Sequence, residues 1–189
     1  MRILGIDPGS LRTGYGAIDV DGRALTAVAY GTVAPPAGLA LGARLTFIAA
    51  QLAELARDLR PELIAIESLF TARSPRAALV LGQARGAALV GVGSSGAPVV
   101  EMAPAAVKSA VAGHGRAPKA QVARAVRELL QLSGKIGADA SDALAIALSA
   151  AFRRPAPGAT EPRLRVRRVS ARDAWTEELR REARAARRS

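Results

Sequence analysis

The chain has 189 residues, half of them apolar but only six aromatic, with 27 Lys and Arg against 16 acids, a formal net charge of +11, and no cysteine. That length suits one compact domain with a modest appendage and excludes two large lobes closing on a ligand. The positive balance favours a polyanionic partner, nucleic acid or a membrane surface, over an acidic small molecule, and the missing cysteines exclude disulfide scaffolds, thiolate zinc sites and cysteine nucleophiles.

In chain order, residues 1 to 6 read as a short buried strand closed by Asp7-Pro8-Gly9-Ser10. This opening is far shorter than a signal-peptide core, and no apolar run approaches the roughly 18 residues of a membrane span, so we expect a cytoplasmic protein without a membrane partner. Residues 13 to 20 and 27 to 33 predict two more strands, with Asp21-Gly22 as a hairpin signal between them. Leu41, Leu45, Ile48, Leu52, Leu55 and Leu59 recur at helical spacing until Pro61 stops the helix. Residues 63 to 66 form a continuous apolar strand ending in Glu67. Residues 75 to 93 predict a helix with Ala78, Gly82 and Gly86 on one side, a smooth face for a partner helix or for the protein's own sheet. A fifth strand at 99 to 102 precedes helices at 105 to 111, 119 to 130 and 138 to 152. The order βββαβαβ followed by helices predicts an α/β fold with a mixed five-stranded sheet and helices on both faces, since each later strand needs a crossover.

Beyond Phe152 the composition shifts. Residues 153 to 189 carry 12 arginines and five acids, net +7, against +4 for the first 152 residues. Three prolines and a glycine fall within 153 to 162, which reads as a linker. We therefore expect a folded domain over 1 to 152 and an Arg-rich flexible tail over 153 to 189 that adds nonspecific DNA affinity. Trp175, Leu179, Ala183 and Ala186 give the tail a weakly driven amphipathic helix.

Asp7 and Glu67 each end an apolar strand, where side chains in open α/β sheets project into the ligand crevice. Asp139 and Asp142 stand three residues apart at the start of an alanine-rich helix and share one face. If that helix packs over the first and fourth strands, four acids converge, and like charges so close raise one another's pKa and cost folding energy. Divalent cations are the natural remedy. An all-oxygen donor set selects a hard ion, Mg²⁺ or Mn²⁺. Plainer roles compete: Asp7 could open a turn, and Asp139 or Ser141 could cap a helix. Glu67 directly follows Leu63-Ile64-Ala65-Ile66, beside a buried layer, and is expected to be paired or functional.

The stretches Ile3-Leu4-Gly5-Ile6-Asp7-Pro8-Gly9-Ser10, Ala65-Ile66-Glu67, Leu81-Gly82-Gln83-Ala84-Arg85-Gly86 and Asp139-Ala140-Ser141-Asp142-Ala143-Leu144-Ala145-Ile146-Ala147 closely resemble the RuvC Holliday-junction resolvases, in order and spacing. Val107-Lys108 and Gly113-His114-Gly115-Arg116-Ala117-Pro118-Lys119-Ala120-Gln121-Val122 resemble that family's basic segment. The resemblance covers residues 1 to about 152 and not the tail. It implies a ribonuclease H-like nuclease domain, a homodimer, and metal-dependent symmetric nicking of four-way DNA junctions in homologous recombination and DNA repair. It also implies that the RuvA-RuvB branch-migration complex is a partner, that the catalytic acids are Asp7, Glu67, Asp139 and Asp142, and that Lys108 and Lys119 contact DNA near the cut. By the same analogy Phe70, in the loop after the catalytic strand, wedges or stacks at the junction crossover.

Hydrolysis of a phosphodiester is served by two metals about 4 Å apart, one at each end of an in-line displacement, and four carboxylates can hold two ions per subunit. Asp7 would bridge them. His114 is the only histidine, which leaves metal-bound water as the main source of the nucleophile; His114 itself, between two glycines, reads as a loop residue. Lys108, Arg116 and Lys119 form the basic side of the site, and Lys119, opening a helix where its charge opposes the macrodipole, invites a phosphate. Arg73 and Arg76 would add phosphate contacts after Phe70.

Rival readings are a phosphate-binding loop like that of the actin-like sugar kinases, a related RNA-trimming nuclease, and a catalytically silent RuvC-like DNA-binding protein. The length forbids the second lobe that a kinase needs. The intact acids argue against silence, and the basic segment with the Leu-Gly-Gln-Ala-Arg-Gly helix argues against the RNA enzyme.

Overall fold

The structure is a computed structural model and describes residues 1–68 and 74–153. The expectations for Phe70, for Arg73 and for the Arg-rich tail lie outside the described residues. Five strands, β1 (Arg2–Asp7), β2 (Thr13–Asp21), β3 (Ala24–Val33), β4 (Leu63–Glu67) and β5 (Val99–Met102), form one sheet in the order β3-β2-β1-β4-β5. The first three run antiparallel, and β4 and β5 run parallel to β1. The parallel pairs require crossovers, supplied by α1 (Leu41–Leu59) and α2 (Pro75–Gly93). Three helices follow: α3 (Pro104–Ala112), α4 (Lys119–Leu129) and α5 (Ala138–Phe152). This is a ribonuclease H-like α/β fold.

Local chemistry explains the boundaries. Ser74 caps α2, its hydroxyl accepting the Ala77 N–H at 3.2 Å, and Pro75 occupies the first turn where its missing donor costs nothing. Helix α1 ends with Arg60 in the left-handed region ahead of Pro61. The β2–β3 hairpin is tighter than the sequence predicts: β3 begins at Ala24, paired with Asp21, because Gly22 takes a positive φ and turns the chain in two residues. The residues that patterning overlooked, Ala24 to Thr26, lie on an edge strand with little burial to mark them.

Strand alternation sorts side chains between two cores. Leu4, Ile6, Ile64 and Ile66 face α1 and α2 with Ile48, Leu52 and Val92. Ile3, Ile18 and Ala65 face α3, α4 and α5. Asp7 and Glu67, two residues beyond Gly5 and Ala65, therefore emerge on the α5 side. On that side the helix backbone sits almost directly on the strands. A Cβ at Gly5 would overlap the Ala143 carbonyl oxygen, and one at Gly14 would overlap the carbonyl oxygen of Asp139. From Ala140 to Ala150 every residue is buried except Asp142.

Candidate active site

Register alone makes neighbours of the first two acids. Ile6 pairs with Ile66 in the parallel β1–β4 ladder, so Asp7 and Glu67 leave the sheet side by side at its carboxyl end. The α5 helix adds Asp142, and α3 and α4 add Lys108 and Lys119 around a cleft of about 300 Å³, floored by Val107, Val122 and Ile146. Asp7, Glu67, Asp142, Lys108 and Lys119 thus share one cavity.

Asp139 stands apart from that lining. Its Oδ2 accepts Arg12 Nε at 2.6 Å and the Thr32 hydroxyl at 3.2 Å. It does not cap α5, and neither does Ser141; Gly137 is the cap residue and no side chain closes that end. The expected convergence of four acids is thus three around the cleft, with the fourth close enough for its charge to act on Asp7. Asp142 is held in turn by Lys119, Nζ to Oδ2 at 2.8 Å. The charge at the start of α4 is therefore paired with a carboxylate of α5. Among the described residues no three carboxylates or histidines are drawn together into a closed metal cage; Asp7, Glu67 and Asp142 line the cleft around its opening.

The electrostatics show how the cleft acts on its acids. Burial, followed by the charges of Glu67 and Asp142, pushes the Asp7 carboxyl up to about 7, against a smaller downward pull from Lys119. Glu67 is raised first by burial and then by Asp142, with Lys119 and Lys108 opposing. The Lys119 ammonium is raised chiefly by its hydrogen bond to Asp142. Negative charge at the strand ends outruns the two lysines, as expected where more positive charge is to be received. All the acid donors are hard oxygens, which fits Mg²⁺ or Mn²⁺ and no softer ion.

Arg116 lies exposed in the turn before α4 and Arg76 exposed on the first turn of α2, both outside the cleft lining; His114 is exposed in the same α3–α4 turn. Sequence reasoning passed over three residues. Arg12 and Thr32 engage Asp139 as described. Arg85 on α2, buried apart from 17% of its side chain, pairs with Glu101 and donates from Nε to the Glu67 carbonyl at 3.3 Å, tying α2 to the end of β4. A long cation between the small residues Ala84 and Gly86 was the available signal for Arg85. Nothing local marks Thr32.

Residues 3–150 match the family described as RuvC, crossover junction endodeoxyribonuclease RuvC. The chain belongs to the RuvC family. The crossover junction endodeoxyribonuclease RuvC of Halorhodospira halophila is 51% identical over 156 residues, covering 82% of this chain and 93% of that one. The RuvC of Delftia acidovorans is 47% identical over 152 residues, covering 79% and 83%. Among solved structures, Thermus thermophilus RuvC in complex with Holliday junction substrate superposes with a TM-score of 0.75 at 36% identity, covering 80% of this chain and 93% of that one. The yeast mitochondrial Holliday junction resolvase Ydc2, at 14% identity and a TM-score of 0.55, shares the RuvC fold alone. The matched RuvC span includes all four acids and the basic segment, and stops short of the Arg-rich tail.

Proposed function

We propose that this RuvC-family endonuclease cuts four-way DNA junctions at the cleft between β1, β4 and α5, by paired symmetric hydrolysis of phosphodiesters in recombination and repair. The observation that carries the reading is the gathering of Asp7, Glu67 and Asp142 around one cleft with two lysines, where burial first and the neighbouring carboxylates second push Asp7 up to about 7. That surplus suits divalent metal, Mg²⁺ with Mn²⁺ able to substitute, two ions per subunit. Asp7, Glu67 and Asp142 would hold it from the cleft, and Asp139 from its rim. A metal held there would supply positive charge at the phosphate and help ionise a nearby water.

The chain's own residues do the rest. The Asp7 carboxyl must shed its proton to act as a ligand, which the arriving positive charge favours. Lys119, with 81% of its side chain exposed, is free to swing from Asp142 to a DNA phosphate, and Lys108 offers a second cation from the cleft wall. Arg116 and Arg76 extend the basic surface outward. Phe70, as the wedge at the crossover, and Arg73 belong to the same reading, as does the tail over 153 to 189, whose net +7 adds phosphate attraction that weakens with salt.

Paired nicks need two sites, and a second copy of this chain supplies the other. The outer face of α2 supports that pairing: Leu79 and Val90 are 66% and 75% exposed, and a Cβ at Gly86 would meet open space. The α2 residues packed inward are instead Ala84, Ala88, Gly91 and Val92, and of the smooth stripe Ala78 and Gly86 are exposed while Gly82 is half-buried. Val90→Glu is expected to yield a monomer by size-exclusion chromatography with light scattering. The RuvA-RuvB complex as partner, and the cytoplasm as location, follow from the family resemblance; no helix among the described residues is long and apolar enough to cross a membrane.

The deciding experiment is Mg²⁺-dependent cleavage of a synthetic four-way junction beside a linear duplex and an RNA–DNA hybrid. Asp7→Asn is expected to lower junction cleavage at least about a thousandfold, roughly 4 kcal/mol of transition-state stabilisation, while junction binding in Ca²⁺ persists. Cleavage retained by that variant, or equal cleavage of all three substrates, overturns the reading.

A further inference from the structure

Thr32, Gly14 and Asp7 lie in one row across the sheet, as cross-strand partners on β3, β2 and β1. Cross-strand partners share a face, here the one beneath α5. Gly14, in the middle, has no side chain, and the Asp139 backbone occupies the space a Cβ would need. The first turn of α5 is thereby lowered onto the strand, within reach of the Thr32 hydroxyl. Thr32 and Arg12 both donate to the same carboxylate oxygen, Oδ2, and among the described residues no donor takes Oδ1.

We propose that Thr32 is a positioning residue for Asp139: by holding Oδ2, it orients the carboxylate so that Oδ1 is presented to the metal. The proposal rests on the reading of Asp139 as a metal ligand. Arg12 is a poorer anchor for the purpose. Its side chain is 60% exposed and carries a charge that a DNA phosphate can claim. Thr32 is short, β-branched and fixed to a strand, so its hydroxyl stays where the backbone puts it. Outer partners of this kind typically change metal affinity about 10- to 100-fold.

The test is Mn²⁺ titration of the full chain without DNA, followed by the electron paramagnetic resonance of the free ion. Thr32→Val is expected to weaken Mn²⁺ binding about tenfold, Thr32→Ser to bind within about threefold of the parent because the hydroxyl is kept, and Asp139→Asn to weaken it more than Thr32→Val. Junction cleavage by Thr32→Val should recover as Mn²⁺ is raised, which a general loss of structure would not allow. If Thr32→Val does not fold, Thr32→Ala against Thr32→Ser makes the same comparison. Parental Mn²⁺ affinity in the hydroxyl-less variants, with binding weakened in Asp139→Asn, overturns the role of Thr32 and leaves Asp139 a ligand. Parental affinity in Asp139→Asn overturns the ligand reading, and the positioning role with it.

Discussion

On one face of the sheet the strands present Leu4, Ile6, Ile64 and Ile66 to α1 and α2; on the other they present Gly5, Gly14 and Gly16 to α5. The first face is a layer of interlocked aliphatic side chains, whose burial stabilises the domain at about 25 cal/mol per Å² and whose rotamers can absorb a small change. The second face has an aliphatic cluster too, Ile3 and Ile18 with Leu144, Ile146 and Leu148, but where α5 crosses Gly5, Gly14 and Gly16 no strand side chain stands between the two backbones. A helix seated on bare strand backbone cannot shift without moving main chain, and this is the helix that carries Asp139 and Asp142 beside Asp7 and Glu67. Aliphatic bulk supplies stability on both faces, and the three glycines on one of them set the distance between acids. The alanine-rich composition of α5 belongs to the same arrangement, since larger side chains would lift it off the sheet.

The comparison can be broken most directly at Gly5. Gly5→Ala places a Cβ against the Ala143 carbonyl oxygen and the Ala147 N–H, so α5 must move. Misplacing a reacting group by about 1 Å can cost a hundredfold in rate, and we expect junction cleavage to fall at least that far, with about 1–3 kcal/mol lost in chemical denaturation. Parental cleavage in this variant would mean that the acids do not depend on the seating of α5.

A second effect separates the two faces by pH. Asp7 is raised from its ordinary 3.8 to about 7, so between those values the folded metal-free domain keeps a proton that the unfolded chain has released. The Asp7 contribution to folded stability must therefore fall as pH rises through that window, by on the order of 4 kcal/mol, and Asp7→Asn should flatten the slope. Denaturant melts in chelator across pH 4 to 8 read this directly; an identical slope in the parent and in Asp7→Asn contradicts a buried Asp7 carboxyl raised by burial and its acidic neighbours.

The smallest change is expected on the first face. Ile64→Val removes one buried methylene beneath α1 and α2 and should cost about 0.5–1.5 kcal/mol by denaturation while leaving cleavage at the parental rate. A cleavage defect larger than its stability loss would show that this face, too, positions the acids.

Much of this was legible beforehand because it is local. The continuous apolar runs at residues 1 to 6 and 63 to 66 are enough to put Asp7 and Glu67 at matching strand ends, and the helix over Ala138–Phe152 was read with the boundaries that the structure has. The α2 boundaries were likewise readable from Ser74-Pro75 at one end and the Gly93-Ser94-Ser95-Gly96 run at the other. The resemblance to RuvC added the family, which the comparisons bear out, from motifs in the right order.

What the sequence by itself determined, then, is which elements form and which residues stand at their ends, because hydrophobic period, turn chemistry and caps act over a few residues. Only the tertiary structure decided the partner each acid takes. Asp139 meets Arg12 and Thr32 across 127 and 107 residues of chain, and Asp142 meets Lys119 across 23. Such pairings depend on how closely α5 approaches the sheet, and that approach is set by the glycines of two strands acting together. No periodicity records it, because a glycine in a strand pattern looks the same whether solvent or another backbone fills the space above it.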